Sequence, residues 1–298
     1  MTGRLLDFLK EQDVEYSVQF DISRASHIKI GGKAACAALP NGTGKLIKLV
    51  DFLKEENIPY RLVGAMSNVL PRDTDYSGVL LITQKCDGYY QAENKIVLEC
   101  GVKISKILPE LSRRGLCGME SLFAIPGTVG GMIYSNAGAY GATISDRLLT
   151  ATVYSPKDKK ISVLKKCDMD FSYRHSALIG TDNILLSAEF LLFEDNPSNI
   201  AERIAAVAKS RRAAQPYNMP SLGSVFKRSA DLPISLLIDE LGLKGLSVGG
   251  AQVSEKHAGF IVNTGSATQK DFLELVTIIK NKVYEKYGII PEEEIELF

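Results

Sequence analysis

Six glycines fall within 24 residues of this chain, at positions 118, 127, 130, 131, 138 and 141, in a stretch otherwise rich in small side chains. Residues without bulky side chains let the backbone approach a ligand closely and adopt positive φ. Successive free N–H groups in such a loop form an anion-binding concavity suited to a pyrophosphate. The segment Ala124-Ile125-Pro126-Gly127-Thr128-Val129-Gly130-Gly131, followed by Asn136-Ala137-Gly138-Ala139-Tyr140-Gly141, is therefore either a glycine-rich cluster of turns or a phosphate cradle. A second candidate, Gly64-Ala65-Met66-Ser67-Asn68, follows the short apolar run 60–63. Two small-residue loops, each after a strand, suit the two phosphates of a dinucleotide.

The rest of the sequence narrows the setting. Its 298 residues suggest two domains at the usual ~100–200 residues each. Thirty-five Lys and Arg balance 35 Asp and Glu, so the surplus of cations that nonspecific nucleic-acid binding needs is missing. No apolar run approaches the ~18 residues of a bilayer span, and the N-terminus lacks a signal-peptide core. Five widely spaced cysteines without a C-x-x-C pair read as free structural thiols of a reducing cytoplasm, and three scattered histidines indicate no metal site. A monomer is expected, although neither composition nor charge fixes the assembly.

Along the chain, residues 1–22 read as an N-terminal helical segment. Thr43 is placed to cap a helix with Leu46, Leu49, Val50 and Leu53 on its apolar face, ending near Asn57. Strand-like runs follow at 79–83, 96–99, 151–154, 161–164 and 184–193. A helix at 104–113 closes at Gly115, with Pro109 counting against it. Residues 196–216 carry Ile200, Ile204, Val207 and Arg211 on one helical face and form a natural boundary. Thr268 with Asp271 resembles a capping box before the stripe Phe272, Val276, Ile279, Val283 and Tyr287. The order of elements indicates an α+β protein.

Several motifs fail on inspection. Residues 41–45 look like a phosphate loop, but the first glycine is missing and Leu46 stands where Ser or Thr would bind magnesium. Neither G-x-G-x-x-G after a strand nor G-x-S-x-G occurs. Three further segments each allow two readings. Gly223-Ser224-Val225-Phe226-Lys227-Arg228 puts a hydroxyl beside two cations, or starts an ordinary strand. Phe171-Ser172-Tyr173-Arg174-His175-Ser176 carries either a functional or a structural arginine. Glu292-Glu293-Glu294 is a solvated charge run or something more.

Taken in order, these segments resemble the UDP-N-acetylenolpyruvoylglucosamine reductase family, over nearly the whole chain from Ile30-Gly31-Gly32 to Glu294. Residues 125–131 with 136–141, Tyr173-Arg174-His175-Ser176, residues 223–227 and residues 249–260 carry the likeness. The resemblance implies a two-lobed FAD-binding fold of the vanillyl-alcohol oxidase (PCMH) type at 23–195 and a C-terminal α+β domain for the UDP-sugar at 196–298. The short connection between Arg174 and Arg211 resembles the family's subtype without an inserted tyrosine-bearing loop over the substrate. Gly64, Ser67, Asn68, Pro126, Gly127, Thr128, Gly130, Gly131, Asn136 and Gly138 would bind FAD.

The resemblance also implies the chemistry. NADPH reduces the flavin, and UDP-N-acetylglucosamine enolpyruvate then takes hydride at its terminal vinyl carbon. Arg174 would face the growing negative charge, because a guanidinium presents a planar fork to a carboxylate. Ser224 would donate the proton, Glu294 would act as the active-site carboxylate, and Tyr173 and Lys227 would bind substrate. The product, UDP-N-acetylmuramate, feeds peptidoglycan synthesis, cell shape and cell division. This chain departs from the family at Met66, where a second glycine is usual, at Lys33, which replaces a proline, and at Glu296, which replaces an arginine. A flavin oxidase on the same fold and a catalytically silent UDP-sugar-binding paralogue are the competing readings.

Overall fold

The computed structural model describes residues 3–229 and 232–298. Residues 1 and 2 of the expected N-terminal segment lie outside them. The chain folds into two compact units, each assembled from separate stretches of sequence. Unit 1 comprises Met1–Val18, Ala35–Ala65 and Ser77–Lys209, and unit 2 comprises Gln19–Ala34, Met66–Tyr76 and Ser210–Phe298.

Unit 1 is built on an antiparallel five-stranded sheet, ordered Lys160–Lys165, Leu148–Ser155, Ile184–Leu191, Lys95–Glu99 and Tyr89–Ala92. Alternating burial along Ile184–Leu191 and Lys95–Glu99 feeds one face into a core with Ile107, Leu111, Met132 and Ile133. The helix Ile104–Arg113 runs through Pro109. An interior proline costs a helix ~3 kcal/mol, but burying Ile104, Ile107, Leu108 and Leu111 is worth ~1.5–3 kcal/mol each. Packing decides the outcome. The helix closes as expected, with Gly115 at φ +72°.

A four-stranded sheet runs Glu15–Asp21, Lys33–Leu39, Tyr76–Ile82 and Tyr60–Val63, the last two pairing in parallel. Its first strand corrects the sequence expectation. Helix occupies only Gly3–Glu11, and residues 15–21 are extended, because EYSVQFD alternates polar and apolar groups with a strand period. Lys33–Leu39 is a further strand that its alanine-rich sequence concealed. The helix Thr43–Glu55 buries the four expected leucine and valine positions, with Gly42 rather than Thr43 as its N-cap. Lys45 spends its ammonium on the Asp13 carbonyl at 2.8 Å, which disposes of the phosphate-loop lookalike.

Unit 2 has an antiparallel sheet ordered Ser221–Ser224, Phe260–Asn263, Ala251–Val253 and Ser247–Val248. The long helix Gln269–Tyr287 begins at the Thr268/Asp271 capping box, ends at a left-handed Gly288, and buries Phe272, Leu275, Val276, Ile279 and Val283. Lys33, where the family carries proline, donates its backbone N–H to Asp75 at 2.8 Å. A proline has no such hydrogen to give. Among the described residues, no helix is long and apolar enough to cross a membrane and no cluster of metal-ligating side chains occurs. Of the five free thiols, Cys36, Cys86, Cys100 and Cys117 are buried and Cys167 is exposed.

Candidate active site

The glycine-rich segment of unit 1 is not a loop throughout. Pro126 and Gly127 lead into a short helix, Val129–Tyr134, with Thr128 at its N-cap. The amides of Val129 and Gly130 are already taken, by Val102 O and Cys100 O at 2.8 Å each. The expected run of free N–H groups is therefore corrected at these two positions. Gly130 serves packing: a Cβ there would lie 3.1 Å from the Cys100 carbonyl oxygen, whereas one at Gly131 would meet nothing nearer than 4.0 Å.

What the two small-residue segments build instead is a cradle with polar walls. A Cβ on Gly64 would sit 2.3 Å from Thr128 Oγ1, so these turns approach as closely as a glycine permits. Thr128 is 1% exposed and its hydroxyl has no hydrogen-bond partner; Asn136 Oδ1 is likewise buried and unpartnered. Buried polar atoms without partners cost free energy, and both lie in the segment expected to hold a dinucleotide. The Thr128 hydroxyl can donate to a phosphate oxygen, and Asn136 Oδ1 can accept from a hydroxyl or N–H of the same molecule, so a dinucleotide cofactor fits these residues. Gly138 packs against the Ala142 carbonyl in the hairpin that follows.

Asn136 also reaches outward. Its Nδ2 donates to Ser172 O at 2.9 Å, and Ser176 Oγ donates to Tyr134 O at 2.7 Å. These bonds tie the cradle to a tight turn in which Ser172 and His175 exchange backbone hydrogen bonds around Tyr173 and Arg174. Arg174 has φ +54° and its guanidinium lies 5.3 Å from the Tyr173 ring centroid. A left-handed non-glycine residue costs ~1–2 kcal/mol, and such strain concentrates where geometry serves a site.

The other expected residues belong to unit 2. Ser67 is half-buried, and Met66 before it is 2% exposed with φ +51°. That backbone explains why the family places glycine there. Ser224 ends the strand Ser221–Ser224, and its hydroxyl donates to Phe226 O at 3.2 Å. The stretch after it pairs with the acidic tail: Lys227 N–H donates to Glu292 O at 2.9 Å and Glu294 N–H to Val225 O at 2.8 Å. Lys227 forms an ion pair with Glu292, and Lys280 with Glu293 at 2.8 Å. Glu292 and Glu293 each meet a lysine, and the main chain of the tail is bonded to residues 225–227, so the tail is more than a run of free charge. Asn68 Nδ2 donates to the Glu294 carbonyl at 2.9 Å, a contact that no local sequence pattern signals. His257, in the 249–260 motif, accepts the Gly259 N–H on Nδ1 at 3.1 Å, and burial holds its imidazole below the ordinary histidine range.

Fold and cradle together define a flavoenzyme, an FAD-binding oxidoreductase. Residues 34–163 match the family described as FAD binding domain, and residues 215–298 match that described as UDP-N-acetylenolpyruvoylglucosamine reductase, C-terminal domain. The reductase of that name from Caldicellulosiruptor bescii is 40% identical over 97% of this chain and 92% of its own. The crystal structure of the Thermus caldophilus reductase superposes with a TM-score of 0.78 at 30% identity, covering 96% of this chain and 98% of that one. A berberine bridge enzyme variant, 14% identical over 65% of this chain and 44% of its own, shares the fold with a TM-score of 0.50. The chain belongs to the UDP-N-acetylenolpyruvoylglucosamine reductase family.

Proposed function

We propose that this chain reduces UDP-N-acetylglucosamine enolpyruvate to UDP-N-acetylmuramate with NADPH, as a cytoplasmic monomer supplying peptidoglycan synthesis and through it cell shape and division. The observation that carries the reading is the pairing of residues 225–227 with 292–294. It brings the hydroxyl-bearing Ser224 strand and Glu294 into adjoining segments of one unit, the Glu294 main chain bonded to that of Val225. In this proposal residues 23–195 form the cofactor domain and residues 196–298 the substrate domain, with residues 1–22 as the N-terminal segment.

FAD, when bound, supplies a two-electron carrier between NADPH and the enolpyruvyl group. Gly64, Thr128, Gly130, Gly131 and Asn136, with Ser67, Pro126, Gly127 and Gly138, would hold it. The chain's own residues must then manage charge and one proton. Hydride arriving at the vinyl carbon leaves negative charge on the adjacent carbon and its carboxylate. A fixed cation and a correctly placed donor stabilise that charge without reorganising. Arg174, at the tip of its strained turn, meets the carboxylate.

Ser224 donates its hydroxyl proton to the carbon. A serine is a weak acid, but the enolate it meets is strongly basic. The long 3.2 Å bond to Phe226 O is easily exchanged for one to substrate. Lys227, held by Glu292, steadies the alkoxide, and Glu294 orients the reacting group.

A positioned general acid contributes ~10²–10⁴-fold. Ser224→Ala is therefore expected to slow anaerobic reoxidation of the reduced enzyme by the enolpyruvyl sugar by about that factor. Bleaching by NADPH should stay near the wild-type rate. Equal losses in the two half-reactions would contradict the role given to Ser224.

A further inference from the structure

The tail that carries Glu294 is held on both edges. On one edge lie its bonds to Val225 and Lys227, with Phe226 and Glu293 bridged antiparallel. On the other, Glu296 and Leu297 pair in parallel with Val69 and Leu70. There, Glu296 N–H donates to Asn68 O at 2.9 Å and Phe298 N–H to Leu70 O at 3.1 Å. Ile295 and Leu70 are buried beneath this strand, and the Phe298 ring meets Tyr76 edge-on at 5.1 Å.

One side chain completes the arrangement. Asn68 accepts the Glu296 N–H on its main-chain oxygen and donates its side-chain amide to the Glu294 carbonyl at 2.9 Å. A single residue thus brackets Ile295 and holds the main chain on both sides of it. Glu294 is pinned at both of its peptide groups, its N–H by Val225 and its C=O by Asn68. At this reach the Asn68 amide supplies the donor that the Glu294 carbonyl takes, and a carboxylate in its place would have none to give.

We propose that Asn68 is a positioning residue for Glu294. Its amide fixes the backbone from which the carboxylate projects, rather than serving as a phosphate ligand. The proposal rests on the reading of Glu294 as the reacting-centre carboxylate. Displacing such a group by about 1 Å costs roughly 10²-fold in rate, so loss of one of its two anchors is expected to slow reoxidation by a factor of about ten to a hundred.

The test uses the full-length holoenzyme and four variants: Asn68→Asp, Asn68→Ser, Glu294→Gln and Asn68→Asp/Glu294→Gln. Reoxidation of the NADPH-reduced protein by UDP-N-acetylglucosamine enolpyruvate is followed anaerobically across pH. Asp keeps the shape but has no donor at neutral pH, and Ser lacks both the reach and the added charge, so the two variants fail for different reasons. Both are expected to slow reoxidation. The double variant should match Glu294→Gln within about twofold, as for residues acting through one another. Asn68→Asp should also displace the pH profile of reoxidation, and the displacement should vanish in the Glu294→Gln background.

Losses that multiply in the double variant overturn the proposal. So does a defect in Asn68→Ser and Asn68→Asp accounted for wholly by lost flavin, which would make Asn68 a cofactor ligand. A wild-type reoxidation rate in Glu294→Gln overturns the assignment of Glu294 itself, and the proposal falls with it.

Discussion

Replacing Gly64 by alanine places a methyl carbon 2.3 Å from Thr128 Oγ1, where ordinary contact begins at 3.4 Å, so the hydroxyl must retreat by about 1 Å. The Thr128 backbone is not free to follow. It caps the helix Val129–Tyr134, its carbonyl accepts the Met132 N–H at 2.9 Å, and the residue is 1% exposed. Gly64 itself does not have positive φ, so the change adds volume without backbone strain. Overpacking a buried site costs ~1–3 kcal/mol. If the cofactor-filled cradle bears that cost, FAD affinity falls about five- to 150-fold.

Flavin fluorescence quenching gives the dissociation constant, and thermal unfolding of the cofactor-free protein gives the separate effect on the fold. A second substitution sharpens the test. The clash is with Oγ1 alone, because the next nearest atoms, Thr128 Cβ and Cγ2, lie at 3.4 Å. Thr128→Ala removes Oγ1, so adding Gly64→Ala to Thr128→Ala should cost little FAD affinity beyond that lost in Thr128→Ala alone. Unchanged affinity in Gly64→Ala, or losses that add in the double variant, would refute the close approach of the two turns.

Two further outcomes are expected. Met66→Gly relieves ~1–2 kcal/mol of left-handed strain but empties a site that is 2% exposed, and truncating a buried methionine costs ~2–5 kcal/mol. Denaturant unfolding should therefore show a net loss of stability; a gain would mean that backbone strain outweighs packing there. His257 is a base whose burial depresses its folded pKa. The unfolded chain accordingly takes up a proton first as pH falls below about 6.5. The stabilisation is present in full above that value and is lost as pH drops through the folded pKa. The melting temperature should fall between pH 7.5 and 5.5, and fall less in His257→Asn, whose amide oxygen still accepts the Gly259 N–H. Equal falls would exclude His257 as the source.

Much of the fold follows rules that a sequence displays locally. The capping box at Thr268 and Asp271, the apolar face of residues 43–55 and the helix through Pro109 each depend on side chains within a few turns of one another. The strands Glu15–Asp21 and Lys33–Leu39 escaped, the first because its alternation is short and most of its positions, Val18 among them, are exposed, the second because its alanines mimic helix. The site divides in the same way. Its glycine-rich segments announce close approach, but the Val129 and Gly130 amides are consumed by a turn at residues 100–102 that no local pattern reveals. The bond from Asn68 to Glu294 spans 226 positions, and only the folded chain brings its ends together.

The decisive measurement of the reductase activity is the visible absorption spectrum of the FAD-loaded protein, followed without oxygen through NADPH and then UDP-N-acetylglucosamine enolpyruvate. The reductase should show a flavin spectrum that bleaches with NADPH and returns when the enolpyruvyl sugar is added. Return with oxygen but not with the sugar would make the protein an oxidase, and failure to retain FAD at all would make it a silent binding protein; either result would contradict the reductase.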